Sequence, residues 1–136
     1  MQSIMLIAES PDLLPEFERI LEPVFPTAFI SEIGGRPGFV IDLSVSSRIW
    51  VEYAGTDLER IGWEPLEVAA ITQHLPKQQH IYEVAYHDVN AVKLAIIHLA
   101  DSDEVLVDND CGDLMSGAEL VKRIKNNPNW DWLRDS

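Results

Sequence analysis

The stretch FVIDLSVSSRIWVEY, residues 39–53, decides how this chain folds. Phe39, Ile41, Leu43 and Val45 alternate with Val40, Asp42, Ser44 and Ser46, the period of a strand with one face buried. A second run, Ile49-Trp50-Val51-Glu52-Tyr53, follows at once. Ser46-Ser47 is the expected hairpin turn, although it lacks the favoured Asn-Gly or Gly pair. Just upstream, Gly34-Gly35-Arg36-Pro37-Gly38 is strong turn chemistry, and Phe29 to Ile33 can form the strand before it. The segment from Phe29 to Tyr53 therefore reads as an antiparallel meander.

Working outward, Ser3 to Ala8 is a short apolar run and a first strand. Proline is tolerated in a first helical turn, so a short helix is expected from about Asp12 to Leu21, ended by Pro23 and Pro26. Gly55 to Glu64 reads as irregular. Pro65 to Leu75 reads as a helix opened by Pro65 and stopped by Pro76, with its Val, Ile and Thr leaving a strand open. Ile81 to Tyr86 alternates as a strand. Asp88 is an expected N-cap, and Val89, Val92, Ile96 and Leu99 then recur at helical spacing, thickened by Ala91, Leu94 and Ala95. Glu104 to Val107 is a short strand. Ser116-Gly117-Ala118-Glu119 fits a capping box, and Leu120, Val121 and Ile124 line the buried side of the helix it opens. Asn126-Asn127-Pro128 ends that helix, and Trp130-Asp131-Trp132 is expected to pack back. The sum is an α+β fold, one domain over residues 1–136, with a mostly antiparallel sheet and helices packed on one face.

The chain has 136 residues, with 46% apolar and 24% charged side chains, which suits a globular domain with a real core. No apolar stretch is long enough to span a bilayer, and MQSIMLIAES has no basic start or small-residue cleavage site, so no signal peptide is read. The single cysteine, Cys111, cannot form an internal disulfide, which together with the missing signal favours a cytoplasmic setting. There are 10 Lys+Arg against 23 Asp+Glu, a formal net charge of -13. Such acidity disfavours nucleic acid and anionic membranes and suits a basic protein partner.

The acidity is densest where cations are missing. No Lys or Arg lies between Lys93 and Lys122, and Asp101, Asp103, Glu104, Asp108, Asp110, Asp113 and Glu119 fall in that gap. Two loops flanking one short strand carry the first six, and these are the expected partner-binding residues. Val105-Leu106-Val107-Asp108-Asn109-Asp110 ends a strand in D-x-D, which can hold Mg²⁺ as in haloacid-dehalogenase-type phosphatases. Too little chain follows for that fold, and Asp and Asn also serve as plain turn residues. A calcium loop is excluded because glycine falls at its fifth position, Gly112, rather than its sixth. His74, His80, His87 and His98 have no zinc-ligand spacing. Cys111 beside Asp110 is a poor nucleophile, since like charge disfavours its thiolate. No catalytic residue, metal ligand or cofactor is therefore assigned.

From about His80 to Trp132 the chain resembles a group of small bacterial immunity proteins that accompany polymorphic toxins, including those of contact-dependent growth inhibition. The strand Ile81–Tyr86, the Asp88 helix, Val107-Asp108-Asn109-Asp110-Cys111-Gly112 and Ser116-Gly117-Ala118-Glu119 carry the resemblance. It implies a small, acidic, cytoplasmic, non-enzymatic protein that binds a cognate toxin domain, often a basic nuclease. The alternative is a Mg²⁺-dependent, phosphatase-like hydrolase using the Asp108/Asp110 pair.

Overall fold

The computed structural model describes residues 2–44, 47–109 and 114–132. Its elements run β1 (Gln2–Ala8), α1 (Leu14–Val24), β2 (Phe29–Glu32), β3 (Gly38–Ser44), β4 (Ser47–Gly55), α2 (Leu58–Ile61), α3 (Pro65–His74), β5 (His80–Tyr86), α4 (Val89–Leu99), β6 (Val105–Asp108), β7 (Leu114–Ser116) and α5 (Gly117–Asn126). Among the described residues all strands join one sheet in the order β2-β3-β4-β5-β1-β6-β7, every neighbouring pair antiparallel. The meander that the alternation indicated is β2-β3-β4. Ser44 pairs with Ser47 across its second hairpin, while the expected turn residue Ser46, with Val45, lies outside the described residues.

The sheet carries two cores, one on each face. On the first, Ile4 and Leu6 of β1, Phe39 and Ile41 of β3, Ile49 and Val51 of β4, and Tyr82, Val84 and Tyr86 of β5 meet α1, α4 and α5. The α+β class and the antiparallel sheet agree with the sequence reading, but the helices are not confined to one face, because β1, β5 and β6 present apolar side chains on both. On the second face a smaller core gathers Ile7, Ile81 and Leu106 from the sheet with Leu58, Trp63, Ile71 and Leu75 from α2, α3 and their flanks. This explains why SIMLIA is an unbroken apolar run. β1 lies between β5 and β6 and is covered on both faces, so its alternation is lost.

Several local expectations change. Residues 55–64 are not wholly irregular: Asp57 caps α2 by accepting from the Arg60 N–H at 3.1 Å. Pro23 lies inside α1 rather than ending it. Pro23 and Arg19 are both exposed, so water can serve the Arg19 carbonyl that Pro23 cannot reach. Leu94 is 41% exposed, while the neighbouring Lys93 is 5% exposed, with its ammonium donating to the Pro128 carbonyl at 3.0 Å. At α5, Ser116 caps the Glu119 N–H at 3.2 Å, but the Glu119 carboxylate faces Arg123 at 3.7 Å instead of completing the box. α3 has the box that its sequence did not announce, between Glu64 and Glu67. Asp88 caps α4 as expected, through the Asn90 N–H at 2.9 Å.

Tyr82 ties β5 to the β1–α1 connection. Its hydroxyl donates to the Ser10 carbonyl at 2.8 Å and accepts from the Leu13 N–H at 3.2 Å. Burial pushes its pKa up. The tail packs back as its tryptophans suggested. Trp132 is fully buried and its indole N–H donates to the Tyr86 hydroxyl at 2.8 Å, while the Arg123 guanidinium lies 5.9 Å from the Trp130 ring centre.

Candidate functional site

Asp108 ends β6, opposite Met5 of β1 and Leu114 of β7. Val107 points into the first core, so Asp108 one residue later turns to the second face. There it accepts the indole N–H of Trp63. Trp63 reaches it because Gly62, at φ 117°, ends α2 in the left-handed region and swings the chain back over the sheet. Glu67 stands beside them in the first turn of α3, its carboxylate accepting from the Glu64 N–H at 2.9 Å. With Ser3 and Met5 as its floor, this corner forms a cleft of about 270 Å³.

Beyond the cleft the second face is open among the described residues. Strand register sets Ser31, Val40, Trp50, Ala85 and Ser3 in one row across β2, β3, β4, β5 and β1. Val40 and Trp50 are half-buried and belong to neither core. The adjacent row sets Glu52 directly opposite Glu83 and runs on through Met5 to Asp108. Opposed like charges destabilise a strand pair, and Arg36, 3.1 Å from Glu52, offsets part of that repulsion. On the other side of the apolar row stand Phe29, 72% exposed, and Asp42, which meets Arg48 at 3.5 Å.

Charge is distributed unevenly between the faces. α1, α4 and α5 together carry four carboxylates and five Lys or Arg. The cap from Asp57 to Leu75 has Asp57, Glu59, Glu64 and Glu67 against Arg60. The sheet beneath it adds Asp42, Glu52, Glu83 and Asp108 against Arg36 and Arg48. The three helices of the first face are thus near neutral, while the second face carries a net charge of -5.

The described members of the expected binding set fall at the two ends of β6. Asp101, Asp103 and Glu104 are exposed in the loop before β6, while Asp108 lies at the far end of that strand, about 10 Å away at the usual strand rise. Asp110 and Asp113, like Cys111, lie outside the described residues. The loop is held by the Ala118 N–H donating to Ser102 O at 3.1 Å and by His74 Nε2, 2.6 Å from Asp103 O. Of the groups on the second face, the sequence marks Trp50 and Trp63 only as core, lid or anchor tryptophans, and it does not single out Glu52, Glu67 or Glu83. For Glu52 and Glu83 the signal is the outward half of a strand alternation, which names a face but not its neighbours.

The histidines are dispersed. His80 Nδ1 lies 2.8 Å from the Tyr53 hydroxyl, His98 Nδ1 lies 3.0 Å from Leu94 O, and His87 meets Trp50 edge-on at 5.2 Å. Among the described residues no three His, Cys, Asp or Glu side chains come together as metal ligands, and no helix is long and apolar enough to cross a membrane. No protein-family model, no curated protein and no solved structure matches this chain.

Proposed function

We propose that this chain is a non-enzymatic immunity protein that binds and neutralises a cognate basic toxin domain, of nuclease type, in the cytoplasm. The observation that carries the reading is the separation of charge between the two faces. Solubility needs net charge of either arrangement, whereas a partner surface needs it concentrated where contact occurs. The resemblance of residues 80–132 to immunity proteins points the same way. Asp108, the first carboxylate of the D-x-D pair, is engaged by the Trp63 indole, which favours a structural over a metal-binding role for it.

Co-expression tests the reading. The toxin would be the C-terminal domain of a large secreted protein encoded immediately upstream. Cell survival and a complex that co-purifies through a salt gradient are the expected results. Cell death without a complex would reject the pairing. A melting temperature raised by Mg²⁺ or Mn²⁺, with phosphatase activity lost in Asp108→Asn, would replace this reading with the hydrolase.

A further inference from the structure

We infer that the open half of the second sheet face, centred on Trp50 and Val40, is the surface on which a basic protein partner docks. The identity of that partner rests on the inhibitor reading above; the location of the surface does not.

Three observations support this. First, among the described residues the face lacks a cover that the rest of the sheet has. α1, α4 and α5 close the first face, and α2 and α3 close the second over β1, β5 and β6, reaching Ala54 near the end of β4 and Leu114 of β7 but not Trp50. Phe29, Val40 and Trp50 are left outside both cores, on adjoining strands. Second, the composition is that of an interface centre. An aromatic anchor, half-buried and steadied edge-on by His87, has an apolar neighbour and is ringed by polar groups. Phe29, at 72% exposed, is the most exposed aromatic side chain among the described residues and marks the edge of the same surface.

Third, charge selects the occupant. Asp42 and Glu52, paired with Arg48 and Arg36, flank the apolar row, Glu83 stands across from Glu52, and the Asp108–Glu67 cleft continues the border, so five carboxylates against two arginines leave the surface net acidic. A second copy of the chain would bring two such faces together and place like charges opposite one another. An acidic partner or nucleic acid would meet the same repulsion. A basic protein gains the apolar contact and the attraction together. Of the six carboxylates singled out in the sequence, Asp108 is the one described residue on this face. The Asp101–Glu104 loop lies outside it.

The test uses the full-length chain and two basic partners: the upstream-encoded toxin domain, and cytochrome c at low ionic strength as a generic basic probe. Phe29→Ala and Trp50→Ala are compared with the reversal pair Glu52→Lys and Glu83→Lys. Controls are reversal of Asp101, Asp103 and Glu104, and Glu16→Lys on α1. Circular dichroism and melting confirm that each variant folds, and Phe29→Ala serves if Trp50→Ala does not.

Against the toxin domain, Trp50→Ala should raise Kd by about thirtyfold, the scale of a central aromatic anchor. The reversal pair should slow association about tenfold and flatten its salt dependence, and the controls should stay within about twofold. A wild-type complex that the face variants leave intact would overturn the docking surface and leave the inhibitor reading standing. If the toxin domain does not bind at all, the inhibitor reading fails for that pair and cytochrome c decides the surface. Weakened binding by the reversal pair would uphold it, and equal binding by wild type and reversal pair would overturn it. Concentration-dependent dimerisation abolished by Trp50→Ala would also overturn it, in favour of a second copy.

Discussion

A methyl group on Gly117 would sit 1.7 Å from the Ala100 carbonyl oxygen, because the start of α5 is pressed against the end of α4. Gly117→Ala should therefore destabilise the fold by about 3 kcal/mol, well beyond the ~1 kcal/mol expected for loss of the Ser116 cap in Ser116→Ala. Urea unfolding of both variants checks the order, and equal losses would show that helix and loop part easily. Tyr82 gives a pH-dependent counterpart. Its folded-state pKa is raised, so above about pH 10, the ordinary tyrosine value, the unfolded chain releases the proton first. The stability this hydroxyl contributes is complete below that pH and is lost as pH rises further. Tyr82→Phe should lower neutral-pH stability by roughly 1–3 kcal/mol, since the Leu13 N–H loses its acceptor, yet show a shallower alkaline decline. An unchanged alkaline slope would move the effect to another group.

At the scale of elements, three helix starts were legible from local chemistry. Asp88 and Ser116 cap α4 and α5, and Pro65 opens α3. The α4 pattern was less faithful, since Lys93 occupies a buried position and Leu94 an exposed one. Lys93 does two jobs: its stem packs, and its ammonium holds the Pro128 carbonyl and with it the turn that leads to Trp130 and Trp132. Lys93→Met keeps the stem volume and should cost about 1 kcal/mol, while Lys93→Ala should cost about 3 kcal/mol. Hydrogen exchange of residues 127–132 should nevertheless quicken in both. Tail exchange matching the wild type in Lys93→Met would assign the anchoring to packing alone. α2 escaped the sequence because four residues of helix carry too little periodicity to register. β7, three residues long, escaped for the same reason.

The whole molecule carries a formal charge of -13, of which the second face holds a net -5. Self-repulsion of that size should be relieved by screening, so the melting temperature should rise by a few degrees between about 0.01 M and about 0.15 M salt. Glu83→Gln should show a smaller rise, because it removes the cross-strand repulsion with Glu52. A melting temperature that falls with salt would mean that the Arg36–Glu52 and Arg48–Asp42 pairs outweigh the repulsion.

The sequence by itself determined the α+β class, the β2-β3-β4 meander, the main helices and the acidity, because each is written in neighbouring residues through period, caps and composition. Only the tertiary structure decided where the charge falls. Asp101 and Asp108 lie seven positions apart yet sit at opposite ends of a strand, whereas Glu52, Glu83, Asp108 and Glu67 come from four separate elements and meet on one face. Strand order and register bring them together. Those are fixed by packing over long sequence separations, which no local pattern records.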